Sequence, residues 1–209
     1  MSSWKNSLML AFCALLYSIS CTEAHAQRKN NVIFFLVDDL GWRDVGCYGS
    51  QFYETPAIDQ LASDGMLFEN AYSTCHVCSP SRASILTWKY PARTNLTEWL
   101  GGRPERDYEK LHHGVKLTAL PDEEQTLAET LHQHGYATAN YGKAHLNKDP
   151  TTYGFDEAIT GWVRSYYHPF SPAYTESLPA NEGDYYTDKL TDAAIDFIQR
   201  NKDRPFFVH

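Results

Sequence analysis

A continuous apolar run, Val32-Ile33-Phe34-Phe35-Leu36-Val37, lies between Asn31 and Asp38. With no polar position to face solvent, it predicts a strand buried on both faces, as in a parallel sheet. Thr55-Pro56 opens a helix with Ala57, Ile58, Leu61 and Ala62 on its apolar side, and Gly65 closes it. Met66 to Tyr72 can return as a strand. Ser79-Pro80 starts a second helix that runs through Ile85 and Leu86. Gln125 to His134 carries Leu127, Ala128 and Leu131 on one helical face, with Gly135 as its stop. Tyr136 to Tyr141 follows as a strand. Asp184 to Asn201 reads as a long helix with Leu190, Ala193, Ala194, Phe197 and Ile198 inward, and Pro205-Phe206-Phe207-Val208 as a new strand. Strands alternating with helices predict an α/β fold, a mostly parallel or mixed central sheet with helices on both faces. Thr94 to Pro121 and Asn147 to Gly183 are rich in Gly, Pro, Tyr and charge, and read as loops that shape a cleft.

The first residues follow another rule. Lys5 precedes the apolar stretch Leu8 to Ile19, and Ala24-His25-Ala26 is a small-x-small site before Gln27. That pattern is a signal peptide, residues 1–26. The stretch falls short of the ~20 apolar residues that span a bilayer. Ser18 stands where a lipoprotein signal carries Leu, which argues against anchoring at Cys21. No later run approaches a transmembrane segment, so the expected location is secreted or periplasmic. Lys and Arg number 18 against 26 Asp and Glu, a net charge of −8. That balance argues against a nucleic-acid or anionic-membrane binder, which presents a basic face. Cys47, Cys75 and Cys78 remain after export, an odd number, whose simplest arithmetic is one disulfide and one free thiol.

Three clusters carry candidate chemistry. Asp38-Asp39 stand where the first strand ends, the side on which open α/β sheets bind ligands. Two carboxylates about 4 Å apart repel by about 4 kcal/mol at an effective dielectric of about 20. A hard divalent cation, calcium or magnesium, removes that cost, although a solvated turn is the other reading. Cys78-Ser79-Pro80-Ser81-Arg82 places Cys78 at a helix N-terminus, where unpaired N–H groups favour an anion. Arg82, one turn on, offers a planar fork for sulfate or phosphate oxygens. Here the alternatives are a buried structural cysteine, or Cys75-His76-Val77-Cys78 as a redox or zinc pair. No second CxxC or HxxxH completes a zinc set. Gly142-Lys143-Ala144-His145 stands at the end of the strand Tyr136–Tyr141, and residues i and i+2 of an extended segment share a side. Lys143 then supplies fixed positive charge and His145 a proton acceptor near neutral pH. Taken separately, each also reads as an ordinary surface Lys and a hydrogen-bonded His.

Together these residues resemble a known family. Cys78-Ser79-Pro80-Ser81-Arg82 matches the C-x-P-S-R of type I sulfatases, in the alkaline-phosphatase superfamily, and Leu86-Thr87 and Lys89-Tyr90-Pro91 continue the match. Gly135-Tyr136-Ala137-Thr138 with Gly142-Lys143-Ala144-His145 resembles the second sulfatase motif. Val37-Asp38-Asp39-Leu40-Gly41 resembles the opening metal-binding strand. The resemblance runs from Asn31 to His209. It implies that Cys78 is oxidised by a formylglycine-generating enzyme, and that the hydrated aldehyde attacks sulfur and later eliminates sulfate. It also implies calcium held by Asp38, Asp39 and residue 78, Arg82 securing that residue, Lys143 binding sulfate, and His145 orienting or deprotonating the hydrate. The substrate implied is a sulfate ester, most naturally a sulfated carbohydrate. Residues 27–209 would then be the N-terminal portion of a longer catalytic domain. Further metal and sulfate ligands would lie beyond it, and this portion alone would be inactive. Trp88 stands where the family usually has Gly, at a helix end suited to left-handed backbone, at a cost of about 1–2 kcal/mol. Two other readings use the same residues: a phosphodiesterase or phosphonate monoester hydrolase, and a non-catalytic module that grips sulfated glycans.

Overall fold

The computed structural model describes residues 29–112, 114, 117–160, 178, 181 and 183–209. The expected signal peptide lies outside the described residues, as does most of 161–182. The chain divides into units 1–30 and 31–209, and the fold is that of the second. Its sheet has the order β1-β4-β2-β3, with β1 Val32–Ile33, β2 Ala137–Tyr141, β3 Glu157–Ile159 and β4 Phe206–Val208. All three pairings are parallel, in register Val32 with Phe207, Ala137 with Phe206 and Ala139 with Glu157. The helices are α1 Pro56–Asp64, α2 Cys78–Thr87, the single turn α3 Pro91–Thr94, α4 Leu127–Gln133 and α5 Tyr186–Asn201.

Side chains alternate across the strands and so build two cores. Ala137, Ala139, Phe206 and Val208 pack with Phe197, Ala194 and Ile198 of α5. Phe207 faces the other way, into Ala83 and Leu86 of α2, Ala128 of α4, and Leu96, Leu120, Leu146 and Phe155. Helices therefore cover both faces, as the alternation of elements predicts. Pro56 opens α1, where its missing N–H costs nothing. Thr126 and Glu129 close a reciprocal capping box at the start of α4.

The structure departs from the sequence reading in several places. Val32–Val37 is not a strand buried on both faces. Only Val32–Ile33 pair, on one side, and the whole run is exposed, Phe35 to 83%. β1 is an edge strand bonded to β4 alone, so apolar composition did not secure burial. Met66 to Tyr72 forms no strand, and its Met66, Phe68 and Tyr72 are exposed. The expected loop Asn147–Gly183 contains a 3-10 turn, Pro150–Tyr153, and strand β3, which lies beside β2. Cys47, Cys75 and Cys78 are all free thiols. Cys47 sits in the turn Gly46–Tyr48, tied to α1 through its N–H to Asp59. The loop of Cys75 is held instead by Ser73 and Ser81, so the two thiols belong to different anchors. Trp88 does adopt left-handed backbone, with φ 57° and ψ 25°, and its N–H closes α2 on the Ser84 carbonyl at 2.7 Å.

Candidate active site

Helix α2 presents the site. Val77 is extended and Cys78 is the first helical residue. Pro80 lies within the first turn, where backbone N–H groups have no helical acceptor and their loss is harmless. The Ser81 hydroxyl binds the carbonyls of Cys75 and Val77 at 2.8 and 2.9 Å and pairs with Ser73. It fixes the approach of the chain to Cys78. Cys78 and Arg82 are four residues apart and share one helical face.

Arg82 is 5% exposed and bridges two segments. One Nη donates to the Lys143 carbonyl, and the other donates to Asp38 Oδ1 at 3.1 Å. Lys143 Nζ donates to Asp38 Oδ2. One carboxylate thus holds two cations. Burial opposes ionisation of Asp38, but the hydrogen bonds from Lys143 and Arg82 and their charges outweigh it and hold the carboxyl below its ordinary value. His145 Nδ1 lies 3.1 Å from Cys78 Sγ, and Nε2 lies 3.0 Å from the Leu100 carbonyl. Burial pushes His145 below its ordinary value, and the charges of Lys143 and Arg82 add to this, so the ring is neutral at pH 7.

Cys78, Arg82, Lys143, His145 and Asp38 are therefore brought together, but not all by the expected route. Lys143 and His145 are not two positions of a continuing strand. β2 ends at Tyr141, Gly142 turns the chain with φ 112°, and His145 is itself left-handed at φ 49°. Each reaches the site through its own tertiary partner. Asp39, next along the chain, is exposed and has left-handed backbone at φ 56°. Among the described residues no three His, Cys, Asp or Glu side chains gather as a metal-binding group. Asp38 and Asp39 offer the oxygen donors a hard cation takes, so the donor type fits calcium. They fall short of the six to eight oxygens it takes.

Two participants carried no sequence signal. The Leu100 carbonyl is a backbone group, which any residue supplies. His209, unassigned from sequence, stacks on Phe34 and Phe155, lies tilted against Phe207, and its Nδ1 donates to Asn140 Oδ1 at 2.7 Å. Burial, helped by the charge of Arg82, drops its value to about 4.

A parallel α/β sheet with a thiol–imidazole pair and two cations beyond the strand ends is an arrangement that can hold an anionic group beside a nucleophile. The chain belongs to the sulfatase family, whose model, described as "Sulfatase", matches residues 30–209. It is 31% identical to the N-acetylgalactosamine-6-sulfatase of Canis lupus familiaris over 233 residues, covering 100% of this chain and 42% of the relative. It is 30% identical to the N-acetylglucosamine-6-O-sulfatase of Bacteroides thetaiotaomicron over 210 residues, covering 99% of this chain and 34% of the relative. Among solved structures, Ps i-CgsB in complex with k-i-k-neocarrahexaose superposes with a TM-score of 0.65 at 27% identity, over 87% of this chain and 44% of that one. The chain spans about two fifths of the length of the curated relatives it matches.

Proposed function

We propose that the protein is a sulfuric ester hydrolase acting on a sulfated carbohydrate outside the cytoplasm, with Cys78 converted to formylglycine. The observation that carries the reading is the convergence of Cys78, His145, Arg82 and Lys143 on one helix N-terminus. Family membership and the sugar sulfatases among its relatives support it. Formylglycine, once made by its generating enzyme, supplies a hydrated aldehyde as the nucleophile toward sulfur. His145 Nδ1 stands where it can take a proton from residue 78. Lys143 Nζ and Arg82 supply positive charge where a sulfuryl group gains negative charge, and act most strongly with water excluded. Arg82 also holds the Lys143 backbone, so the two cations keep a fixed spacing. Asp38 and Asp39 would hold calcium with residue 78, and the ion would polarise a sulfate oxygen. Further donors would come from outside the described residues. Export is proposed from the pattern of residues 1–26. Among the described residues no helix is long and apolar enough to cross a membrane.

The test is a screen of sulfated saccharides with the complete, calcium-supplied protein, with residue 78 read by tryptic mass spectrometry. Sulfate release that requires formylglycine at residue 78 is expected, and Lys143→Ala should cut kcat/KM by about 100-fold or more. Cleavage of aryl phosphate esters in preference to every sulfate ester would overturn the reading. So would unmodified cysteine in a host that carries the modifying enzyme.

A further inference from the structure

We infer that Trp99 is a platform on which a sugar ring of the substrate stacks, beside the groups that handle its sulfate. The inference rests on the proposed saccharide substrate and says where its ring is held. Two contacts fix the neighbouring residue at the site. The Leu100 N–H donates to the hydroxyl of Ser79, on the first turn of α2, at 3.0 Å, and the Leu100 carbonyl lies 3.0 Å from His145 Nε2. The Leu100 side chain is buried in the core with Leu96 and Leu146. Backbone and side chain thus pin residue 100 between α2 and His145. Trp99 is one residue away, about 3.8 Å along the chain, and it is 40% exposed. Single exposed aromatics are common on protein surfaces. Trp99 differs in that its neighbour meets the site through both its N–H and its carbonyl.

The local chain sets the indole as well. The Gly102 N–H donates to the Trp99 carbonyl at 3.0 Å, with Gly101 at φ 107° in the third position, as in a type II turn. The six-membered ring of the indole lies against Gly101, where a Cβ would stand 2.8 Å from Cζ3, 3.4 Å from Cε3 and 3.5 Å from Cη2. Turn and ring therefore ask for glycine at 101 for separate reasons, its backbone freedom and its missing side chain. Among the described residues no second ring or cation stacks on Trp99. Trp42 makes the contrast. It is also exposed, three residues past Asp39, but the Arg43 guanidinium lies over its ring at 4.6 Å and Tyr48 meets it edge-on.

A sulfated sugar presents two unlike surfaces. Its sulfate takes positive charge, which Arg82 and Lys143 supply. Its ring presents an apolar face of C–H groups, and the side chains gathered around residue 78 are polar or charged. The face of an indole carries the negative end of a quadrupole, suited to C–H groups, on a large and rigid area. Sites for such ligands join aromatic surface to a few placed polar groups. A neutral grip also suits a chain of net charge −8, which repels a polyanionic substrate away from its local cations.

Steady-state kinetics of the complete, calcium-supplied protein test this, on the saccharide sulfate that the screen turns over fastest and with inorganic sulfate as a competing inhibitor. Trp99→Ala should raise KM for the saccharide by about 10-fold or more. It should leave kcat within about threefold and the inhibition constant of inorganic sulfate within about twofold, because the groups that bind sulfate are untouched. Trp99→Phe, which keeps a ring, should recover most of the loss. An unchanged KM overturns the inference, as does an equal weakening of saccharide and inorganic sulfate, or a loss confined to kcat. So does a lowered unfolding midpoint with the parent KM, which would mean that the indole packs on another part of the chain. If Trp99→Ala does not fold, Trp99→Leu, apolar but without a ring, carries the test, and a parent-like KM there overturns it equally. A parent that hydrolyses no saccharide sulfate defeats the proposed function and leaves Trp99 open to calorimetric titration with N-acetylgalactosamine 6-sulfate and N-acetylglucosamine 6-sulfate. Binding to the parent that is lost in Trp99→Ala supports the platform; equal binding, or none to the parent, overturns it.

Discussion

The run Val32–Val37 and strand β2, Ala137–Tyr141, reverse the expected relation between composition and burial. The first is wholly apolar, yet every residue of it is exposed. The second carries Thr138 and Asn140, yet residues Ala137 to Asn140 are all buried. The difference is neighbours. β2 has a strand on each side, β4 and β3, and α4 and α5 pack against it. Its polar groups are also answered: Thr138 donates to the Gly154 carbonyl at 2.9 Å, and Asn140 meets Gly142 and His209. Buried polar groups with partners cost little, whereas β1 has a strand on one side only and its residues stay exposed. Asp38 stands at the end of the exposed run, and its cations Arg82 and Lys143 come from the packed region. The site is thus assembled across the boundary between the two.

The largest test of this contrast compares two phenylalanines. Phe207 is 1% exposed in the centre of the α2–α4 core, and Phe207→Ala should cost about 3–5 kcal/mol in urea unfolding. Phe35→Ala should change stability by no more than about 0.5 kcal/mol. Equal losses would show that the apolar run is covered after all.

The next test uses His209, which stacks on Phe34 from the exposed run and on Phe155 from the core. Its folded value is about 4 against an ordinary 6.5, so the unfolded chain binds more protons between those pH values. Stability is therefore complete above pH 6.5 and falls as pH drops toward about 4, by roughly 3 kcal/mol in all. His209→Gln keeps a donor for Asn140 and should flatten the stability profile in that window. A profile unchanged by the substitution would mean that the His209 ring is not held neutral between the two regions.

The smallest effect concerns Trp88, which is exposed to 78% like the apolar run but stands at the end of a core helix. Its φ of 57° is strained for a bulky residue, so Trp88→Gly should raise stability by about 1 kcal/mol in the same unfolding measurement. A loss on substitution would show that the ring gains more from contact than the backbone loses.

Much of this was legible along the chain. Helix α2 follows from Pro80 and the apolar spacing behind it, and α5 from the stripe Leu190 to Ile198, because helix period and caps are local properties. The left-handed end at Trp88 was anticipated only through the family resemblance, which usually places Gly there. The grouping of Asp38, Cys78, Arg82, Lys143 and His145 was anticipated by motif, yet the geometry that joins Lys143 and His145 was not. The strand ends at Tyr141 as read, but the extended course expected beyond it is broken by Gly142 at φ 112° and by His145 at φ 49°. β3 was hidden in a polar, proline-containing stretch, since a three-residue strand gains its stability from its neighbour and shows no periodicity of its own.

The sequence by itself determined the longer helices, the parallel α/β plan and which side chains are candidates for chemistry, because periodicity, caps and side-chain charge act within a few residues. Only the tertiary structure decided which apolar strand is covered, that Asp38 binds two cations while Asp39 stays exposed, and which nitrogen of His145 faces Cys78. Those outcomes depend on contacts across 44, 45 and 67 residues of chain, Arg82 with Asp38, His145 with Leu100 and His145 with Cys78. No local pattern encodes a partner at that distance.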